Sequence, residues 1–515
     1  MRIKPFQNEP LLDFTNPKNI SKQKEALKAV RKKLGKTYEL IINGKKIKTD
    51  QTFNSYNPSD KDEVIATFYK GTKELANFAV ESANKVFQTW KYTSPSERAN
   101  YLFKAAAIAR KKRFEINAYM ILEIGKNFAE ADADTAEAID FLDFYGREML
   151  RYAEKQPITP IAGEKNELVY IPLGVAVVIP PWNFPFAILA GMSSAAIVSG
   201  NTLVLKPSSD TPMMGKVFCD IMEEAGLPKG VLNFLPGSGG EVGDTLVGHP
   251  KTRFVSFTGS MEVGIHINEL AAKVQPEQIW LKRVVAEMGG KDTIIVDSET
   301  NIETAVQGVV ASAFGFQGQK CSACSRVVVD KSIYKSFVEK LKVEVDKIEV
   351  GVAEENYRMG PVSNATAERN ILGYIAIGKK EGKLLCGGEK AAGNGFYIKP
   401  TVFTDIKPLA VISQEEIFGP VLAVIKSNNF DDALKIANNT RYGLTGAVYT
   451  NNRQKLEKAK NELLIGNLYF NRKCTGAMVG GHPFGGFNMS GTDSKAGGRD
   501  YLLLFMQAKL MSEKI

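Results

Sequence analysis

The run Val175–Pro185, VAVVIPPWNFP, decides what kind of chain this is. Val175–Ile179 is short, unbroken and largely β-branched, the pattern of a strand covered on both faces. Pro180 and Pro181 stop it, Trp182, Asn183 and Phe184 follow, and Phe186–Gly200 is apolar again. Downstream the alternation repeats. Asn201–Pro207 (NTLVLKP), Val231–Pro236 (VLNFLP) and Arg253–Gly259 (RFVSFTG) read as strands. Phe186–Val198, Pro212–Glu224, Gly240–Val247 and Val263–Ala272 read as helices. Strands alternating with helices predict a doubly wound α/β block over residues 168–290.

A second block follows. Asp292–Asp297, Ser325–Asp330, Val421–Lys426 and Gly446–Thr450 read as strands, and 302–317, 332–347, 430–438 and 453–463 as helices. The join falls near residue 290, and a cleft between two such lobes is the default place for a ligand. Upstream, the first 35 residues are polar and helical in pattern, and YELIINGKKI carries the hairpin signal Asn43-Gly44. Residues 72–155 read as successive amphipathic helices. The Gly-rich tail after Gly486 ends in YLLLFMQAKL, a strand-like run suited to a sheet edge against a partner chain.

The chain has 515 residues, 44% hydrophobic and 24% charged. That is globular composition and length for about three domains. Five cysteines are too few for a disulfide scaffold and point to a reducing compartment. The net charge of +9 comes from scattered residues, with the densest runs at Lys28–Lys36 and Lys111–Arg113. Both read as solvated helix faces, so no nucleic-acid partner is expected. MRIKPFQNEP lacks the apolar core of a secretory signal. Phe186–Gly200 is shorter than the ~20 residues of a spanning helix. A soluble cytoplasmic protein with no membrane partner is the expectation.

Three constellations carry chemistry. Cys321 ends the run Phe314–Cys321, whose Gly-Gln-Lys sets up an abrupt turn. A thiol on such a turn can face a cleft, and a thiolate needs little activation to act as nucleophile. The plainer reading of any one thiol is structural. Cys321 and Cys324 also form a CxxC, open to a redox pair or half a zinc site. No second CxxC exists, His249, His266 and His482 have no ligand spacing, and no metal is expected. Glu287, in AEMGGK, closes an apolar run at the lobe join, where burial would make it a usable base. Otherwise it is a salt-bridged surface acid. Asn183 follows a strand end, where open α/β sheets place ligands, and offers an amide to a developing oxyanion. Otherwise it closes a turn on its own backbone.

Nucleotide signals are mixed. Gly237–Gly243 approaches G-x-G-x-x-G with the wrong final spacing, and there is no P-loop. Phe257-Thr258-Gly259-Ser260 ends a strand and opens a helix, so its N–H groups suit a phosphate.

Taken together, PWNFP, LKPS, FTGS, AEMGGKDT, FGFQGQKCSA, EEIFGP and PFGG resemble the aldehyde dehydrogenase superfamily over almost the whole chain. Ala131–Tyr145, Asn471–Gly486 and Ser490–Gly498 are similar to its members that oxidise glutamate 5-semialdehyde, the open form of 1-pyrroline-5-carboxylate, to glutamate in proline and arginine breakdown.

The resemblance implies an aldehyde dehydrogenase-like α/β fold, two doubly wound domains plus a small β oligomerisation element. It implies a cofactor domain at 1–156 and 179–290, a catalytic domain at 291–482, and an oligomerisation element at 157–178, as a hairpin, and 483–515. It makes Cys321 the nucleophile, Glu287 the base and Asn183 the oxyanion donor. The cofactor is implied to be NAD, at Pro181, Trp182, Lys206, Ser208, Ser209, Gly237, Phe257, Thr258, Gly259, Ser260, Glu416 and Phe418. Many NAD-preferring relatives carry Glu where this chain has Ser209, so NADP is expected to be tolerated. Phe184, Ser322, Gly476, Ala477 and Phe484 would bind the substrate, a small aldehyde, although Thr475–Ala477 also reads as an ordinary surface turn. A homodimer or higher homo-oligomer is expected. The competing readings are an enzyme for another semialdehyde, a thiol redox protein using Cys321 and Cys324, and a basic non-catalytic binder.

Overall fold

The computed structural model describes residues 5–515. Two sheets of seven strands organise it. In the first the order is Arg283–Glu287, Thr252–Thr258, Val175–Ile179, Thr202–Leu205, Leu232–Phe234, Leu40–Ile42 and Lys45–Ile47. The first five are parallel, and the Asn43-Gly44 hairpin closes the edge antiparallel. Val175–Ile179 has the next strand in sequence on one side and Thr252–Thr258 on the other. That divergence opens a crevice at the strands' C-terminal ends. Val175–Val178, Leu203–Leu205 and Phe254–Val255 are all buried, as strands covered on both faces must be.

The second sheet runs Lys383–Cys386, Thr401–Thr404, Val421–Ser427, Cys324–Asp330, Asp292–Val296, Thr445–Tyr449 and Asn467–Phe470. Only Lys383–Cys386 is antiparallel. The helices Pro95–Lys111, Arg113–Ile124 and Phe128–Ala153 bank against the first lobe, where the Phe141 ring fits over Gly191 of helix Ala187–Val198. Helix Pro212–Glu224 starts on a buried acid, Glu123, which accepts from Met213 N at 2.8 Å, Met214 N at 3.2 Å and Ser55 Oγ at 2.9 Å. Among the described residues no helix is long and apolar enough to cross a membrane.

Several expectations are revised. The helix expected over 302–317 stops at Phe314, because Phe316, Gln317 and Gly318 turn left-handed at φ 48°, 56° and 67°. Gly240–Val247 opens as a π-helical turn, Gly239–Gly243. No hairpin forms within 157–178. Glu164–Pro172 pairs antiparallel with Met506–Lys514, whereas Val175–Ile179 lies inside the first sheet. Tyr501–Phe505 is a buried helical turn rather than strand. Phe487–Asn488 pairs with Tyr442–Gly443, so the segment from 483 serves the lobe join before the ribbon begins. Helix Ala365–Glu381, capped by Asn364 Oδ1 on Ala367 N at 2.9 Å, fills a stretch the sequence reading left blank.

Candidate active site

A cleft of about 950 Å³ lies between the lobes, at the divergence of the first sheet. Its walls include Pro181, Trp182, Asn183, Lys206, Ser208, Ser209, Phe257, Thr258, Gly259 and Ser260 from the first lobe, and Cys321, Glu416 and Phe418 from the second. Pro181 and Phe418, far apart in sequence, thus meet because strand ends and the lobe join coincide.

Ser260 caps helix Met261–Ala272, its Oγ accepting from Val263 N at 3.3 Å. The helix therefore opens N-terminus first onto the cleft, where free N–H groups and the helix dipole favour an anion. Lys206 is 6% exposed, and burial lowers its ammonium to about 8. Its Nζ donates to Pro207 O at 3.2 Å. Trp182 and Phe418 meet edge to face with centroids 5.3 Å apart. Glu416 Oε1 accepts from Gly290 N at 3.0 Å, and burial raises this acid to about 7. The two glycines of AEMGG are required by contact. A Cβ on Gly289 would stand 2.0 Å from Glu416 Oε2, and one on Gly290 would stand 2.4 Å from Cys321 O.

The half-buried thiol of Cys321 is pushed well above its ordinary value by burial and by the acids Asp292, Glu416 and Glu287. Asn183, 4% exposed, donates from Nδ2 to Gln319 O at 3.0 Å, two residues before the thiol. Glu287 ends its strand behind the cleft wall. Its Oε1 accepts from Ser494 Oγ, Oε2 is buried without a side-chain hydrogen-bond partner among the described residues, and burial raises the acid to about 8.

The remaining candidates lie elsewhere. Gly237 packs against Val242 and is absent from the cleft wall, because the chain leaves the sheet at Phe234 and turns away into Gly239–Gly243. Phe184, Ser322, Gly476, Ala477 and Phe484 are also off that wall. Ser322 is buried, and its carbonyl accepts from Thr445 Oγ1 at 3.3 Å and Cys474 Sγ at 3.4 Å, which ties the nucleophile loop to the 474–477 segment. Gly476 is exposed at φ 78°, and Phe484 exchanges backbone hydrogen bonds with Ala496. Cys324 points into the core with Sγ bonded to Arg326 O at 3.2 Å, and both CxxC cysteines are free thiols.

Sequence reading missed several groups. Asp210, Asn364, Thr366, Tyr374 and Arg441 line the cleft, with Asn364 Nδ2 donating to Asp210 at 3.1 Å. Asn364, followed by Ala-Thr-Ala-Glu, carried a readable helix-start signal. Ser494, the partner of Glu287, carried none.

Comparison with known proteins identifies the family. The aldehyde dehydrogenase family profile matches residues 46–511. The chain is 56% identical over 512 residues, 99% of each chain, to a 1-pyrroline-5-carboxylate dehydrogenase of Geobacillus sp. (strain WCH70). It is 54% identical over 510 residues, 99% of each chain, to 1-pyrroline-5-carboxylate dehydrogenase 2 of Bacillus subtilis (strain 168). The solved 1-pyrroline-5-carboxylate dehydrogenase from Thermus with bound NAD superimposes with a TM-score of 0.99 at 48% identity, covering 100% of both chains. A cleft with thiol, amide and anion-binding helix, in a chain alike from end to end, places this protein in the aldehyde dehydrogenase family.

Proposed function

We propose that this chain oxidises L-glutamate 5-semialdehyde, formed from 1-pyrroline-5-carboxylate, to L-glutamate, with NAD as the cofactor. The observation that carries the reading is the Asn183 side-chain amide held 3.0 Å from Gln319 O, beside Cys321 on the cleft wall. An amide donor next to a thiol is the pair that addition to a carbonyl needs. The identity of the aldehyde rests on the end-to-end likeness to enzymes named for 1-pyrroline-5-carboxylate.

The residues present fit a dinucleotide. The N-terminus of helix Met261–Ala272 and Ser260 would take the pyrophosphate, Lys206 the adenosine ribose, and Glu416 the nicotinamide ribose. The space a Cβ on Gly289 would fill keeps Glu416 at the cleft wall. Bound there, the dinucleotide supplies the hydride acceptor.

The chain's own residues do the rest. Cys321 adds to the aldehyde carbon as the thiolate, its proton passing to solvent water in the cleft, and gives a thiohemiacetal whose oxyanion is held by Asn183 Nδ2 and the Cys321 N–H. Asn183 must exchange Gln319 O for that oxyanion. Once the carbon is oxidised, Cys321 carries a thioester, and Glu287 takes a proton from the water that hydrolyses it. Backbone N–H groups at Ser322, Gly476 and Ala477 suit the α-carboxylate, and Phe184 and Phe484 the aliphatic stem.

The ribbon of Glu164–Pro172 and Met506–Lys514 leaves Leu510, Met511 and Ile515 exposed, a surface for a second copy of the chain in a homodimer or higher assembly. The cytoplasm, where thiols stay reduced, suits a catalytic Cys321.

The test is reduction of NAD and NADP followed optically with glutamate semialdehyde, wild type beside Cys321→Ala. Activity lost in the variant supports the reading. Turnover of simple aliphatic aldehydes without this substrate refutes the substrate.

A further inference from the structure

Two loops that carry chemistry meet on one buried lysine. Lys126, 1% exposed, lies between helices Arg113–Ile124 and Phe128–Ala153. Its Nζ donates to Asp134 Oδ2 at 2.6 Å, and Asp134 is fully buried. The same ammonium lies 4.2 Å from the centroid of the Phe184 ring and 4.7 Å from that of Phe316. Phe184 adjoins Asn183, and Phe316 sits in the turn that delivers Cys321. Asp134 Oδ1 accepts from Ala187 N at 2.5 Å, where the Asn183 loop enters helix Ala187–Val198.

Such an arrangement needs a reason. A fully buried ion pair is a poor device for stability alone, because desolvation offsets most of its attraction. A cation between two rings is attracted to both faces, more so when desolvated. The turn it touches is strained, with Phe316 at φ 48° and Gln317 at φ 56°. Backbone of that kind persists only where its surroundings over-determine it. Its restraints come from the connection that holds Lys126, from the start of the helix after it and from Pro361. Glu130 accepts from Phe316 N, and Gln317 Nε2 donates to Gly125 O at 3.2 Å, next to Lys126. Gln317 Nε2 also reaches Pro361 O at 2.7 Å.

We infer that Lys126, paired with Asp134, is a positioning residue that sets the placement of the Asn183 amide relative to the Cys321 thiol. It acts through the Phe184 and Phe316 rings and touches no reacting atom. This rests on the reading of Cys321 as nucleophile and Asn183 as oxyanion donor.

The full chain is tested as three variants. The double variant Lys126→Met/Asp134→Asn removes both charges together and keeps an acceptor for Ala187 N–H. Lys126→Arg keeps the cation. Phe316→Leu removes one ring and leaves the ion pair intact. For the double variant we expect kcat to fall about a hundredfold. Tm should stay near the wild-type value, and the Kd for NAD and the KM for the aldehyde should change little. Lys126→Arg should recover to within about tenfold of wild type. Phe316→Leu should lose kcat in the same direction without losing NAD binding.

A folded double variant or Phe316→Leu with wild-type kcat overturns the inference, as does Lys126→Arg no better than the double variant. If the double variant does not fold, Phe316→Leu decides. Wild type that turns over another aldehyde but not glutamate semialdehyde refutes the substrate alone, and the same three variants are then read on that aldehyde. Wild type that turns over none refutes the functional reading and this inference with it.

Discussion

Asn183 donates its Nδ2 hydrogen to the Gln319 carbonyl at 3.0 Å, so the loop after Val175–Ile179 is bonded across the lobe join to the turn that carries Cys321. On the proposed reading this bond tethers the oxyanion donor to the loop of the nucleophile, and Asn183 exchanges Gln319 O for the oxyanion when substrate adds. Asn183→Ala should lower kcat about 10²–10³-fold, the usual loss for one such donor. NAD binding, measured by equilibrium titration, should be unchanged, since the proposed cofactor contacts lie along the rest of the cleft.

As the proposed base, Glu287 should set the pH dependence of thioester hydrolysis. Its carboxyl is raised to about 8 by burial, so below that pH it is protonated and cannot serve as base. Thioester hydrolysis should climb with pH and level off above about 8, read in single-turnover experiments. Glu287→Gln should keep the first burst of NADH and lose about 10²–10⁴-fold in steady turnover. Folding carries the same sign. The folded state prefers the neutral acid while the unfolded chain ionises near its ordinary value, so this group subtracts stability as pH rises from about 4.5 to about 8. The Tm of Glu287→Gln relative to wild type should therefore rise between pH 5 and pH 8.

Gly289 is set against Glu416. An added methyl would lie 2.0 Å from Glu416 Oε2 and must displace the carboxylate. Losing one hydrogen bond to a charged group costs about 1.5–3 kcal/mol, so Gly289→Ala should raise the KM for NAD about tenfold or more. An unchanged KM would remove Glu416 from the cofactor contacts.

Ser260 has two duties that separate in one variant. Ser260→Ala removes the cap on Val263 N, worth about 1 kcal/mol of stability. It also removes a hydroxyl at the anion-binding end of the helix. Both a lower Tm and weaker NAD binding by calorimetry are expected, and a lower Tm alone would leave Ser260 as a cap only.

Cys324 distinguishes the enzyme from a thiol redox protein. It is 1% exposed, with its sulfur bonded to Arg326 O. Cys324→Ser should leave dehydrogenase activity close to wild type, at a stability cost of about 1 kcal/mol. Loss of activity comparable to Cys321→Ala would revive the paired-cysteine reading.

The alternation of buried runs with helices was enough to identify two doubly wound lobes and the crevice at Val175–Ile179, because period and apolarity are local properties of the chain. The motifs at Asn183, Ser260, Glu287 and Cys321 were legible for the same reason: strand ends, helix starts and paired glycines are written in consecutive residues, whereas Glu416 came from the family resemblance alone. The left-handed turn at Phe316–Gly318 was not, since it is held by Glu130, Gly125 and Pro361, far away in sequence. Nor was the Ser494 partner of Glu287, the placement of Asn364, or the Lys126–Asp134 pair beneath Phe184 and Phe316. What the residues determine alone is which elements form and which groups could react. Which groups meet, and how far burial shifts their proton affinity, is decided only when two lobes close over the join, because both depend on water being excluded by parts of the chain that no local window contains.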